Sequence, residues 1–197
     1  MSKGSLFVIS GPSGTGKGTV CAHLLKEENI FLSISATTRD KRVGEEEGVT
    51  YYYKSTEEFE KMIENGEMLE YAVYGSNYYG TPKKAVADML DSGKNVILEI
   101  EAQGALKVKE QMPEAILIFI VPPSIKELRK RLIERGREDD AEIERRISAA
   151  KWEFSQSPKY NYVIVNDVLN DCVEETLGII KSANDRQQMI EKLLSEI

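Results

Sequence analysis

The sequence predicts an α/β fold in which a parallel core sheet of five strands carries helices on both faces. Three observations support it. Short apolar runs alternate with amphipathic helical patterns along most of the 197 residues, the rhythm of parallel strands joined by helical crossovers. A glycine-rich stretch, residues 11–19, joins the first apolar run directly to the first helical pattern. Two polar segments interrupt the alternation without a linker, as appendages on a single core do.

The predicted core strands are residues 5–10, 33–37, 95–100, 115–121 and 162–165, where apolar and β-branched side chains concentrate. Helical periodicity marks 16–26, 81–90, 102–111, 124–134, 140–155 and 171–195. Start and stop signals sharpen several of these. Ser124 stands three residues before Glu127 as in a capping box, and Thr81 precedes Pro82 as a cap precedes a first-turn proline. Gly93 falls just past a helix end.

The first interruption spans 39–80. It is rich in Tyr, Glu and Gly, with a capped helix at 55–63 and strand-like pieces at 51–53 and 68–73. It reads as a small mixed α+β insertion into a core formed by 1–38 and 81–197. The second interruption is a polar loop, 135–140, between two helices. With its flanks, roughly 131–150, it suits a lid.

Composition narrows the function. The 33 acidic side chains outnumber the 26 basic ones, a net charge of −7, so the long-range field repels nucleic acid and anionic membrane. Neither is expected as a partner, and no obligate protein partner is inferred. The longest apolar run, 115–121, is far short of the ~20 residues that span a bilayer. The two cysteines, Cys21 and Cys172, have no metal-ligand spacing and read as buried reduced thiols. A cytoplasmic location is expected.

Residues Gly11, Pro12, Ser13, Gly14, Thr15, Gly16, Lys17, Gly18 and Thr19 form a G-x-x-x-x-G-K loop between strand and helix. Glycines let the backbone wrap a polyphosphate, so N–H groups and the helix N-terminus face its oxygens, and Lys17 adds a mobile positive charge. ATP is the expected ligand. The Ser or Thr that usually follows the lysine as a Mg²⁺ ligand is Gly18 here, which leaves Thr19 or Glu99 as the metal residue. Glu99 and Glu101 end an apolar strand, the pattern that brings acids to metal and phosphates.

In the insertion, Arg39 and Arg42 stand three apart and suit one phosphate, with Tyr51 and Tyr79 as further donors. A solvated basic turn balanced by Glu45, Glu46 and Glu47 is the plain alternative.

The phosphate loop, Ser35 to Arg39 with Arg42, Glu70, Asn77 to Gly80, Leu98 to Gly104 and Val165 to Asp167 occur in the order and spacing of guanylate kinases, so the chain resembles that family from about residue 6 to 167. The resemblance implies the P-loop nucleoside monophosphate kinase fold and the reaction ATP + GMP → ADP + GDP with Mg²⁺, in purine nucleotide metabolism and GMP recycling, with dGMP a further acceptor. It assigns Arg39, Arg42, Tyr51 and Tyr79 to the GMP phosphate, and Ser35, Glu70 and Thr81 to guanine. Glu99 then falls on the Mg²⁺ or acceptor side and Glu101 on the guanine side. Lys17, Arg42, Arg135 and Arg146 are the implied catalytic set, the last two as lid arginines, and Asn166 lies near the ATP adenine. Arg137 and Arg145 read as solvated, and Arg131 as either.

Two rivals follow from the same fold: a kinase for another acceptor, and a binding module without chemistry. The first would lose Ser35 and Glu70, and the second a working phosphate loop. Of the remaining residues, His23 reads as a surface histidine and Trp152 as a packing anchor. The apolar positions of the last helix, Ile179, Ile180, Met189, Leu193 and Leu194, read as core contacts.

Overall fold

The computed structural model describes residues 3–136 and 139–195. Its elements run in chain order β1 (Leu6–Ser10), α1 (Lys17–Leu24), β2 (Ile30–Leu32), β3 (Ala36–Thr37), β4 (Tyr52–Tyr53), α2 (Thr56–Glu64), β5 (Met68–Tyr74), β6 (Asn77–Pro82), α3 (Lys83–Asp91), β7 (Asn95–Glu99), α4 (Ala102–Gln111), β8 (Ile116–Val121), α5 (Ile125–Arg135), α6 (Asp140–Ser155), β9 (Tyr162–Val165) and α7 (Leu169–Ser195).

Five strands form a parallel sheet in the order β2-β7-β1-β8-β9. Every residue of β1 is buried, because the strand is covered on both faces. Its alternate side chains divide the core. Leu6 and Val8 pack under α3 and α4 with Val86, Leu90, Ala105 and Val108, while Phe7 and Ile9 pack under α1 and α7 with Val20, Leu24 and Ile180. β1 lies between β7 and β8, so the chain leaves its carboxyl end at the switch point where open parallel sheets bind ligands.

A second sheet, ordered β4-β3-β6-β5, is mixed: β3 pairs with β4 in parallel and β6 pairs with β3 and β5 antiparallel. Its own small core joins Ala36, Phe59 and Met68. The capping box of α2 is fully formed, Ser55 accepting from the Glu58 N–H and the Glu58 carboxylate from Ser55.

Four expectations are corrected. The second core strand is Ile30–Leu32, not 33–37: Ser33 leaves the core sheet after one bond to Ile97, and Ala36–Thr37 turn to pair with β6. Thr81 does not cap α3. It lies within β6, a strand that the sequence left unassigned, and its hydroxyl donates across the β5–β6 pair to Glu70. Trp152 is 44% exposed, and Met189, Leu193 and Leu194 are exposed too, because α7 outruns the sheet it packs on. At α5, Ser124 accepts from the Glu127 N–H as expected, but the Glu127 carboxylate turns to Arg131.

Cys21 and Cys172 are buried, unbridged thiols, and burial pushes Cys172 up to about 11. Among the described residues, no helix is long and apolar enough to cross a membrane.

Candidate active site

The phosphate loop wraps because three of its glycines take φ values closed to other residues: +139° at Gly11, +90° at Gly14 and +89° at Gly16. Space demands glycine as well. A Cβ on Gly11 would stand 2.2 Å from the Ile120 carbonyl oxygen, and one on Gly16 would stand 2.5 Å from Asn166 Nδ2. That Asn166 amide donates to the Thr15 carbonyl at 2.8 Å, so the end of β9 fastens the loop from behind. Arg131 holds the same asparagine through its carbonyl at 2.9 Å, which gives this arginine a positioning contact.

Lys17 lies at the start of α1 and folds back over the loop, donating to the carbonyl of Gly11 and, at 3.0 Å, to that of Pro12. Burial pushes its ammonium below the ordinary lysine range, while the carboxylates of Glu153, Glu99 and Glu101 oppose that shift. Sheet register explains Glu99: β7 pairs with β1 so that Glu99 stands beside Ile9, one residue short of the loop. A Cβ on Gly18 would be 3.4 Å from Glu99 Oε1, so the residue after the lysine faces this carboxylate and Gly18 leaves room for it. Thr19 lines the same cleft.

The cleft holds about 810 Å³ and runs from the loop to the two helices around the polar segment. Arg131, Arg135, Arg145 and Arg146 all line it. Arg146 reaches furthest in: Nη1 donates to Ser13 Oγ at 2.5 Å, and Nε donates to Glu142 at 3.0 Å. Arg145 lines the rim and pairs with Glu142, so it is less purely solvated than the sequence suggested. Arg137 lies outside the described residues. Sequence reasoning missed Glu153, whose Oε2 is buried with no hydrogen-bond partner among the described residues and whose carboxyl is raised by burial. The signal was legible in spacing, since Glu142, Arg146, Ala149 and Glu153 recur at helical intervals on one face of α6.

The second sheet builds a different surface. Glu70 is 7% exposed and pairs in register with Thr81, whose Oγ1 donates to Glu70 Oε1 at 2.7 Å. Gly104 makes the space, because a Cβ there would stand 2.8 Å from Glu70 Oε2. The β3–β6 register pairs Ala36 with Gly80 and Thr37 with Tyr79, and Ser35, just before β3, accepts from the Tyr52 N–H at 2.9 Å through its carbonyl. Thr81 and Glu70 therefore face each other across two strands, and Ser35 stands just before β3 of the same sheet. Burial raises the Glu70 carboxyl, the Thr81 hydroxyl and the Lys107 ammonium lower it, and Glu101 raises it. A carboxylate has about four acceptor sites, so beyond Thr81 Glu70 keeps acceptor capacity for a ligand.

At the far end of this sheet Arg39, Tyr51 and Tyr79 come together. The Arg39 guanidinium lies 5.6 Å from the Tyr51 ring centroid, and the Tyr51 and Tyr79 rings meet edge-on at 6.1 Å. Glu45 organises the group, accepting from Arg39 at 2.7 Å, from the Tyr53 hydroxyl at 2.8 Å and from the Arg42 backbone N–H at 2.8 Å. The Arg42 side chain is exposed and is not drawn into the cluster. His23 sits outside both surfaces, with Nδ1 2.9 Å from the Thr19 carbonyl oxygen.

The arrangement offers a glycine loop with a lysine and a carboxylate, arginines across the cleft from it, and a separate surface carrying a buried acid and an arginine–tyrosine group. A family model described as guanylate kinase matches residues 3–183. The guanylate kinase of Clostridium tetani is 53% identical over 190 residues, covering 96% of this chain and 91% of that protein. The guanylate kinase of Halalkalibacterium halodurans is 50% identical, covering 96% and 94%. Among solved structures, guanylate kinase from Anaplasma phagocytophilum superposes with a TM-score of 0.72 at 38% identity, covering 92% and 86%. A gluconokinase from Sinorhizobium meliloti shares the fold alone, with a TM-score of 0.53 at 15% identity over 96% and 98%.

Proposed function

The chain belongs to the guanylate kinase family and catalyses ATP-dependent phosphorylation of GMP, and from that premise we propose how its side chains divide the work. The observation that carries the proposal is the Thr81–Glu70 pair on the same sheet as the Arg39–Tyr51–Tyr79 group. Guanine presents N1–H and its 2-amino group side by side, and one carboxylate accepts both. Adenine has an acceptor at N1 and no 2-amino group, so it would leave a buried acid unpaired. A site built on such bonds rejects the analogue that lacks them by about 10⁴–10⁵.

Residues 39–80, with the strands that flank them, form the acceptor unit. Arg39, Tyr51 and Tyr79 hold the GMP phosphate, Arg42 joins them from the exposed turn, and Glu101 supports the guanine side. Residues 11–19 hold the ATP phosphates with Asn166 behind them. Lys17 exchanges the carbonyls of Gly11 and Pro12 for phosphate oxygens. The acceptor phosphate is already anionic, so attack needs no general base, and catalysis is alignment plus charge stabilisation. Arg135 and Arg146 close roughly 131–150 over the transferring group and keep out water, the competing acceptor.

Mg²⁺ fits the donor set: Glu99 is a hard oxygen ligand beside the loop, and no cage of three or more metal-ligating side chains exists among the described residues, as suits a cation that keeps water and phosphate ligands. Glu99, rather than Thr19, is the residue proposed to hold it, directly or through water. When bound, the ion neutralises charge on the β- and γ-phosphates.

The role proposed is GMP recycling within purine nucleotide metabolism, in the cytoplasm, with dGMP a second acceptor. The test is ADP release from ATP–Mg²⁺ with GMP, dGMP, AMP, CMP, UMP and no acceptor compared. Turnover with GMP and dGMP is expected. Turnover with another nucleotide instead would overturn the pocket assignment.

A further inference from the structure

Glu70 stands on β5, the edge strand of the second sheet. Its own carbonyl faces β6, since a Cβ on Gly80 would meet it at 2.6 Å, while the Leu69 carbonyl, at the bulge between Met68 and Glu70, and the Tyr71 carbonyl turn toward α4. An edge strand leaves such groups unpaired unless another element takes them. Here both are taken by one helix. Lys107 Nζ donates to the Tyr71 carbonyl at 3.0 Å, and Gln111 Nε2 donates to the Leu69 carbonyl at 2.9 Å. The two donors are one turn apart on α4, and Gly104, three residues before Lys107, shares their face.

One stripe of α4 therefore meets the strand at three consecutive points: Gly104 receives the Glu70 carboxylate, and Lys107 and Gln111 grip the carbonyls on either side of it. Lys107 also lies over the Tyr71 ring, 5.0 Å from its centroid. Besides burial, four groups bear on the carboxylate's charge: the Thr81 hydroxyl and the Thr81 N–H from β6, the Lys107 ammonium from α4, and Glu101 at the start of α4 with opposite sign.

We propose that Lys107, seconded by Gln111, is a positioning residue for acceptor selection: it fixes the β5 edge so that Glu70 stays aimed at guanine, and it supplies the positive charge opposite that buried acid. The proposal rests on Glu70 as the guanine reader. A lysine serving only to solvate a helix face would have no preference between the two substrates. This one acts on the strand that binds GMP and touches nothing in the ATP cleft.

The experiment compares wild type, Lys107→Met, Lys107→Arg and Glu70→Gln in steady-state kinetics from pH 5 to 8, with Tm measured alongside. Lys107→Met is expected to raise KM for GMP about fivefold and to move the acid limb of kcat/KM for GMP upward by about half a pH unit, because a buried carboxylate that loses a nearby cation takes up its proton at higher pH. KM for ATP and Tm stay near wild type, and Lys107→Arg restores both GMP readouts. Wild-type behaviour of Lys107→Met, or an equal rise in both KM values, would overturn the positioning role. If Glu70→Gln weakens GMP use while Lys107→Met does not, the positioning role alone falls. If Glu70→Gln leaves GMP use intact, the reading of Glu70 falls and takes this proposal with it.

Discussion

Thr81 and Glu70 face each other across the β5–β6 pair, and a 2.7 Å hydrogen bond from the threonine hydroxyl fixes one carboxylate oxygen in a nearly sealed site. The bond settles where the acid points before any substrate arrives. Thr81→Val keeps the shape and removes the donor. Loss of a bond to a buried charged group costs about 1.5–3 kcal/mol, so KM for GMP is expected to rise roughly tenfold or more. The Glu70 carboxyl, already raised by burial, goes higher still, so the loss is greatest at acid pH. KM for ATP is the control and should not move.

Glu45 makes a different pH prediction. Arg39, the Arg42 N–H and the Tyr53 hydroxyl hold its carboxyl well below the usual range, to about 2. A group depressed in the folded state contributes stability that is complete above its unfolded value, near 4.5, and is lost as pH falls toward 2. Wild type should therefore be more stable than Glu45→Gln above pH 5, and the gap should close by about pH 2. Thermal melts across that range measure it.

Gly16→Ala places a methyl group 2.5 Å from the Asn166 amide on a residue whose φ is +89°. Strain of this kind costs about 1–3 kcal/mol. The bond from the Asn166 amide to the Thr15 carbonyl is expected to break, which raises KM for ATP at least tenfold while KM for GMP changes little.

Arg146→Ala removes the α6 side chain that reaches Ser13 of the phosphate loop and is proposed to close over the transferring group. Arginines that stabilise a transferring phosphoryl group contribute about 10³–10⁵ in rate. A fall in kcat of at least 10³ with both KM values within a few-fold is expected, and is read from initial rates at saturating substrates.

Much of this was legible in the sequence, for physical reasons that differ by element. Helices α4 and α6 agree with their periodicity to the residue, because each has a single buried face and clear ends. The phosphate loop was legible because its glycines answer to backbone geometry, which few other residues satisfy. β6 was missed because Asn-Tyr-Tyr-Gly-Thr-Pro has no apolar alternation, and its pairing comes from β3 and β5. The placing of Ser35, Thr81 and Glu70 on one sheet draws on three separate segments. No local pattern contains it. Glu153 and Lys107 were missed for the same reason: a charged residue on a helix reads as solvated until the tertiary fold supplies what it faces.

The central claim is that Glu70 selects the acceptor by taking both the N1–H and the 2-amino group of guanine. IMP keeps the first and lacks the second. The direct measurement is therefore the ratio of kcat/KM for GMP over IMP, in wild type and in Glu70→Gln. A ratio well above tenfold in wild type that collapses toward unity in Glu70→Gln is the predicted result. An unchanged ratio in the variant would contradict the claim and place guanine selection elsewhere in the pocket.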